Sequence, residues 1–162
     1  MTRALIIVAL LAGVARAAPQ IGDHSPPIEL RALDGGTVKL GQPGEQIVVV
    51  DFFATWCGPC QDAMAALDEL LQPLGARVQL VIVDAGERPD VVRRFFAAHP
   101  APPGARVVLD DDRSVSRAWA QDRLPTTFLL DRHAIIRHIN RGFGAGYPRR
   151  VGNWLGDMLG NP

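Results

Sequence analysis

Two cysteines, Cys57 and Cys60, are the residues whose type and spacing most directly suggest chemistry. They stand between an apolar, β-branched run at 47–53 and a segment at 61–75 whose leucines recur at helical spacing. This pattern predicts a buried strand followed by an amphipathic helix. The first turn of a helix presents free N–H groups and the positive end of the helix dipole, and both stabilise a thiolate. We therefore predict a two-cysteine redox centre in which Cys57 attacks and Cys60, one turn further along, resolves the mixed disulfide.

Other uses of the cysteine pair fit less well. A structural zinc site needs four ligands, whereas the chain has two cysteines, and its four histidines show no paired ligand spacing. A c-type haem site needs a histidine directly after the second cysteine, and Gln61 occupies that position. An inert structural disulfide is left open as an alternative, although so short a loop constrains the unfolded chain little.

The segment VVVDFFATWCGPC resembles the active-site segment of thioredoxins, down to Trp56 before the first cysteine and Gly58-Pro59 between the two. A second segment, LPTTFLLD at 124–131, resembles the cis-proline loop and the following strand of the exported TlpA/ResA-like branch of that family. The resemblance implies an α/β thioredoxin fold, in which a central mixed β-sheet is flanked by helices and carries an added N-terminal β-hairpin. It also implies a thiol-disulfide oxidoreductase that uses no cofactor and no metal.

The same resemblance implies the residues of the site. Pro125 would be cis and would face a Cys57–Cys60 disulfide, and the backbone of Leu124 would pair with an extended substrate strand. The substrate-binding set would then be Trp56, Gly58, Pro59, Leu124 and Thr126.

Asp51 interrupts the apolar run at 47–53. Burial opposes ionisation of a carboxylate, so we expect its pKa to be raised. Asp51 matches the buried aspartate of thioredoxins, which implies that it takes the proton of Cys60 during resolution. A hydrogen-bonded carboxylate at the surface is the alternative. Ala63 departs from the ResA-like pattern, which often has glutamate there.

The dipeptide between the cysteines predicts the direction of electron flow. Thioredoxin has the same Gly-Pro dipeptide between its cysteines as Gly58-Pro59. Its reduction potential is about −270 mV, whereas that of the oxidant DsbA is about −120 mV. We therefore expect a reductase of protein disulfides, with cytochrome c maturation or disulfide repair as candidate tasks. An oxidant or isomerase of the same fold, and a Cu(I) or apo-cytochrome thiol chaperone, are the alternatives. A peroxiredoxin-type peroxidase is disfavoured because Ala54 stands where that family has threonine.

The first residues of the chain differ in character from the rest. Arg3 precedes an apolar stretch at 4–14, and Ala15-Arg16-Ala17 is typical of a signal-peptide cleavage site. The stretch is shorter than the roughly 20 residues that cross a bilayer. We predict a cleaved signal peptide at 1–17, one thioredoxin-like domain at 18–162, and a periplasmic or otherwise exported location. An uncleaved N-terminal anchor is the alternative.

Composition and compartment together suggest the partners. The formal net charge is zero and no basic cluster is present, so we expect no nucleic-acid partner. An exported reductant works in an oxidising compartment and needs a source of electrons. We therefore expect disulfide-containing protein substrates, a membrane-embedded electron donor and a monomeric protein.

The remaining elements follow from periodicity and turn residues. Asp34-Gly35-Gly36 predicts a hairpin between strands at 28–33 and 37–40. An apolar run at 78–83 predicts a strand parallel to 47–53 across the intervening helix. Further strands are predicted at 106–109, 126–130 and 135–140, and further helices at 90–99, 114–120 and 147–159, with Asp112 or Ser114 capping the helix at 114–120.

Overall fold

The computed structural model describes residues 17–160, so the predicted signal peptide at 1–17 lies almost entirely outside the described residues. The strands in chain order are β1 (Ile28–Arg31), β2 (Thr37–Leu40), β3 (Ile47–Phe53), β4 (Val78–Asp84), β5 (Arg106–Leu109), β6 (Thr126–Leu130) and β7 (Ile136–Arg141). The helices are α1 (Gly58–Leu71), α2 (Pro89–Ala98), α3 (Ser114–Ala118) and α4 (Tyr147–Leu159), and a 3-10 helix at Gln72–Arg77 follows α1. Among residues 17–160, no helix is both long and apolar enough to cross a membrane.

A five-stranded mixed sheet forms the centre of the fold, in the order β5-β4-β3-β6-β7. β3 pairs in parallel with β4, and β4 in parallel with β5, whereas β6 runs antiparallel to both β3 and β7. The predicted parallel pair across α1 is therefore confirmed, as is the mixed α/β fold. β1 and β2 form the predicted hairpin as a separate antiparallel pair.

The central strand β3 is buried on both faces, so its side chains reach two hydrophobic cores. Strand side chains alternate between faces. Val49 and Phe53 belong to the core that α1 and α4 cover, and Val50 and Phe52 to the core on the other face, which includes residues of the hairpin and of α3. By the same alternation, Asp51 faces the side of α1, the helix that carries Cys60.

The segment before β3 covers both edges of the five-stranded sheet. At the β7 edge, the N–H of Gly22 donates to the carbonyl of Ile136 at 2.8 Å, and the N–H of Ile136 donates to the carbonyl of Asp23 at 2.9 Å. At the β5 edge, the N–H of Leu33 donates to the carbonyl of Val107 at 2.8 Å. The two outer strands therefore do not present their ladders freely to solvent along these stretches.

Several element boundaries differ from the predicted ones. β1 ends at Arg31 rather than at residue 33, because the chain there leaves the hairpin to pair with β5. α1 ends at Leu71 rather than at residue 75, and the tighter helix that replaces its last turn contains Pro73. α3 ends at Ala118, before the predicted residue 120.

The cap of α3 differs in part from the prediction. Asp112 accepts a hydrogen bond from the N–H of Ser114 at 2.8 Å, as expected. The main acceptor is the buried carboxylate of Asp110, which takes the N–H groups of Val115 at 3.0 Å and Ser116 at 2.7 Å. The alternative in which Ser114 caps the helix is wrong. A buried anion at the start of a helix satisfies its free N–H groups and matches its dipole.

Candidate functional site

The two cysteines form a disulfide at the start of α1, with their Cα atoms 5.2 Å apart. Cys57 is the N-cap residue and Pro59 lies in the first turn, where a missing N–H costs nothing. Cys57 keeps 5% of its surface exposed, whereas Cys60 is fully buried. A partner can therefore reach Cys57 first, which fits the predicted order of attack.

The loop between β3 and α1 is held by a carboxylate that sequence reasoning missed. Glu87 accepts hydrogen bonds from the backbone N–H of Thr55 at 2.6 Å and from its hydroxyl at 2.7 Å. The N–H of Glu87 in turn donates to the buried carboxylate of Asp84 at 2.9 Å, at the end of β4. Burial raises the pKa of Asp84 above its ordinary value. This connection fixes the approach to Cys57 from a strand far away in sequence.

The cis-proline loop lies beside the disulfide, as predicted. The Leu124–Pro125 peptide is cis, and the carbonyl of Pro125 accepts a hydrogen bond from the N–H of Gly142 at 2.7 Å. Thr126 is fully buried, and its hydroxyl donates to the carbonyl of Arg123 at 2.7 Å. The expectation that Thr126 contacts substrate is therefore corrected: its side chain is turned inward and ties the loop together.

A groove of about 540 Å³ opens next to the disulfide. Five of the predicted residues line it together: Trp56, Cys57, Gly58, Pro59 and Leu124. Trp56 is 74% exposed, and among residues 17–160 it is one of two exposed large apolar side chains, the other being Ile21. Pro125 and Thr126 are buried and are not part of the lining. The exposed indole gives this groove apolar contact area directly beside Cys57.

Asp51 is 1% exposed, and the alternative of a surface carboxylate is wrong. Its Oδ1 accepts a hydrogen bond from the hydroxyl of Thr127 at 2.7 Å, while its Oδ2 has no hydrogen-bond partner among residues 17–160. Burial raises the pKa of Asp51 from 3.8 to about 7, and the bond from Thr127 opposes that rise. Asp51 can therefore both hold and release a proton near neutral pH.

The hydroxyl bonded to Asp51 is itself part of a chain of hydroxyls. Thr127 lies 2.9 Å from the hydroxyl of Tyr147, the only tyrosine of the sequence, at the start of α4. A hydroxyl has one proton to donate, so with Thr127 donating to Asp51, Tyr147 donates to Thr127. Burial and the nearby charge of Asp51 raise the pKa of Tyr147, which keeps its proton.

Neither Thr127 nor Tyr147 was predicted as a site residue. In the sequence, Thr127 is one β-branched residue among several in a strand, and Tyr147 is one aromatic residue at the start of a helix. The antiparallel register that sets Asp51 opposite Thr127 is the missing information. No group of three or more His, Cys, Asp or Glu side chains within residues 17–160 could hold a metal ion.

A family model described as AhpC/TSA family matches residues 21–139, a span that contains both cysteines, Asp51 and the cis-proline. The chain belongs to the AhpC/TSA family. This AhpC/TSA protein is 27% identical to Thioredoxin-like protein YneN of Bacillus subtilis (strain 168), over 76% of this chain and 72% of the relative. It is 28% identical to Thiol-disulfide oxidoreductase ResA of Geobacillus kaustophilus (strain HTA426), over 86% of each chain.

A solved structure also has the fold of this AhpC/TSA protein. The thiol:disulfide interchange protein DsbE from Chlorobium tepidum aligns with a TM-score of 0.80 and 25% identity, covering 88% of this chain and 99% of that one. The predicted resemblance to the thioredoxin superfamily and its ResA-like branch is therefore confirmed. With its Cys57–Cys60 pair at a helix start, the protein is a thiol-disulfide oxidoreductase of the ResA and DsbE type.

Proposed function

We propose that this protein is an exported reductase of protein disulfides. The observation that carries the proposal is the Cys57–Cys60 disulfide at the wall of an open groove, with Cys57 accessible and Cys60 buried. The Gly58-Pro59 dipeptide between them supports the reducing direction, because thioredoxin has the same dipeptide and a potential of about −270 mV.

The catalytic cycle starts from the reduced protein. The Cys57 thiolate attacks one sulfur of the substrate disulfide, forming a mixed disulfide and releasing the other substrate sulfur as a thiolate. The Cys60 thiolate then attacks the sulfur of Cys57, which releases the second substrate thiolate and leaves the Cys57–Cys60 disulfide. Two electrons have passed to the substrate, whose two thiolates take up protons.

Asp51 serves the second step of this cycle. Cys60 is buried and must lose its proton before it can attack. Asp51 faces the helix that carries Cys60, its Oδ2 is free of partners within the described residues, and its pKa is raised to about 7 by burial. A base with a pKa near the working pH is suited to proton transfer. Asp51 accordingly accepts the proton of Cys60 as the mixed disulfide resolves.

The proposal also covers the cellular location of the protein and its partners. The features of residues 1–17 support secretion, and the relatives named ResA and DsbE support a role outside the cytosol. There the protein acts as a monomer, receives electrons from a membrane-embedded donor and passes them to protein disulfides. Cytochrome c maturation and disulfide repair are the two tasks proposed, and Ala63, where ResA-like chains often have glutamate, weighs against the first.

The deciding experiment is the reduction potential of the Cys57–Cys60 pair, measured by equilibration with glutathione or dithiothreitol. We expect a value near that of thioredoxin, about −270 mV. A value close to that of DsbA, about −120 mV, would instead assign an oxidant or isomerase. Mixing a Cys60→Ser variant with an oxidised protein substrate should trap a mixed disulfide at Cys57, and a Cys57→Ser variant, its matched control, should trap none.

The role of Asp51 has its own test. In Asp51→Asn, the rate at which the mixed disulfide releases its substrate should fall at neutral pH and lose the ionisation step near pH 7. The matched control is Asp62→Asn, which removes an exposed carboxylate from the same helix as Cys60. An Asp51→Asn profile that coincides with the wild-type profile would remove Asp51 from the mechanism.

A further inference from the structure

The groove beside Cys57 has a second wall that none of the predicted residues explains. Besides the predicted residues, this groove is lined by Arg113, Gln121, Asp122 and Arg123, which together are called the second wall. These residues belong to the segment that runs from the start of α3 to the cis-proline loop. The wall therefore connects α3 directly to the loop that faces the disulfide.

Arg113 is held over the groove by three separate features. Its backbone is left-handed, with φ 58° and ψ 24°, a conformation that non-glycine residues adopt seldom and that concentrates at functional sites. Its side chain lies across Gly86, where a Cβ would come within 2.4 Å of the Arg113 Cγ. Its Nη2 donates to Oε1 of Gln121 at 3.4 Å. Gly86 thus makes room for the arginine stem, and Gln121 orients its guanidinium group.

Gln121 also links the two arginines of the wall. Its Nε2 donates to the backbone carbonyl of Arg123 at 2.9 Å, the same carbonyl that accepts the hydroxyl of Thr126. Ala120, directly before Gln121, is a second non-glycine residue with a left-handed backbone, at φ 48°. The two guanidinium groups are therefore carried by one connected segment beside the cis-proline.

The charge of this wall is positive. Within residues 17–160, neither Arg113 nor Arg123 takes part in an ion pair. The one carboxylate of the lining, that of Asp122, is paired with Nη1 of Arg141 at 2.8 Å. Both guanidinium groups therefore have donors free for a partner, and guanidinium groups match carboxylates in charge and geometry.

We propose that Arg113 and Arg123 select substrates that carry an acidic side chain within a few residues of the cysteine attacked by Cys57. This inference rests on the proposed reductase function and adds the substrate class. An extended substrate segment that contacts Leu124 and Trp56 lies in the groove, and an aspartate or glutamate beside its cysteine meets the guanidinium groups that line the same groove. The chemistry is charge-assisted hydrogen bonding at a partly solvated surface, so each arginine contributes a modest, salt-sensitive preference.

The test compares two peptides that each contain one internal disulfide and a fluorophore-quencher pair. They differ only in having glutamate or glutamine on either side of the first cysteine. Reduced protein is mixed with each oxidised peptide, and the second-order rate constant of peptide reduction is measured. We expect the glutamate peptide to react faster by about threefold for each arginine. Arg113→Gln and Arg123→Gln should each remove their share of that preference, and added salt should reduce it.

Arg149→Gln is the matched control, because it removes an exposed arginine of α4 that does not line the groove. It should leave the preference intact. Equal rates for the two peptides, or a preference that survives in the Arg113 and Arg123 variants, would overturn this inference while leaving the reductase in place. If neither peptide is reduced, the proposed function fails and the inference fails with it.

Discussion

The buried carboxylate of Asp51 makes a sharp prediction about stability as a function of pH. Its pKa is raised from 3.8 to about 7 on folding, so the folded protein holds this proton more tightly than the unfolded chain. As the pH rises from about 4 to 7, the unfolded state loses the proton first, and the free energy of unfolding falls. About three pH units at about 1.4 kcal/mol per unit give a penalty of about 4 kcal/mol, fully present above pH 7.

Asparagine has nearly the shape of protonated aspartate and cannot ionise. In Asp51→Asn, the oxygen that Thr127 bonds is retained, and the amide nitrogen takes the place of Oδ2, which has no partner among residues 17–160. The variant should therefore match the wild type within about 1 kcal/mol at pH 4 and be more stable by up to about 4 kcal/mol at pH 8.

The measurement is urea unfolding of the oxidised proteins, followed by tryptophan fluorescence at intervals between pH 4 and pH 8.5. Burial also raises the pKa of Asp84, but that group is present in both proteins and its contribution cancels in the difference. Asp62→Asn, which lacks an exposed carboxylate, is the control and should not gain stability with pH. A stability difference between Asp51→Asn and wild type that stays constant with pH would refute the reasoning.

Three further substitutions test the contacts around the site. Thr127→Val removes the hydrogen bond that lowers the pKa of Asp51. The pH midpoint of substrate release from the mixed disulfide should therefore move upwards. An unchanged midpoint would mean that the Thr127 hydroxyl does not set the pKa of Asp51. Glu87→Gln keeps one oxygen acceptor for the two hydrogen bonds from Thr55. The Thr55 amide proton should therefore exchange about tenfold faster with solvent, which corresponds to a loss of about 1.4 kcal/mol. Equal exchange rates in the two proteins would show that Glu87 does not hold the loop before α1. Asp110→Asn replaces the buried carboxylate that accepts the first N–H groups of α3. Urea denaturation should show that the free energy of unfolding falls by about 1–3 kcal/mol. A fall of less than about 0.5 kcal/mol would mean that other groups cap the helix.

The strands and helices were predictable because their signals are local. The apolar run of β3, the leucine spacing of α1 and the Asp34-Gly35 turn of the hairpin each lie within one short window of sequence. Gly35 and Gly36 both have positive φ in that turn, at 101° and 72°, a conformation that glycine adopts without steric cost. The ends of elements were less predictable, since β1 stops where the sheet edge of β5 competes for its backbone.

The cysteine pair and the buried carboxylate of the candidate site were predictable, and the contacts that support them were much less so. Cys57, Cys60 and Asp51 could be named because Asp51 interrupts an apolar run and the cysteine pair follows that run before a helical pattern. The hydroxyl of Thr127 meets Asp51 across 76 residues of chain, and Glu87 meets Thr55 across 32. Such contacts depend on strand register and on the path of the loop after β4, and no spacing rule within the sequence encodes them.

The coverage of both sheet edges by the segment before β3 has a consequence for how the protein meets other chains. Exposed edge strands are templates for adventitious β-pairing and aggregation, which matters for a protein that we propose acts on other protein chains. Here Gly22 and Asp23 occupy part of one edge and Leu33 part of the other. Strand addition is thereby hindered along these parts of the rim, whereas the Leu124 loop, where we propose that a substrate backbone pairs, lies beside Cys57. The residues that flank β1 thus occupy backbone groups at both edges of the sheet that would otherwise be open to adventitious pairing.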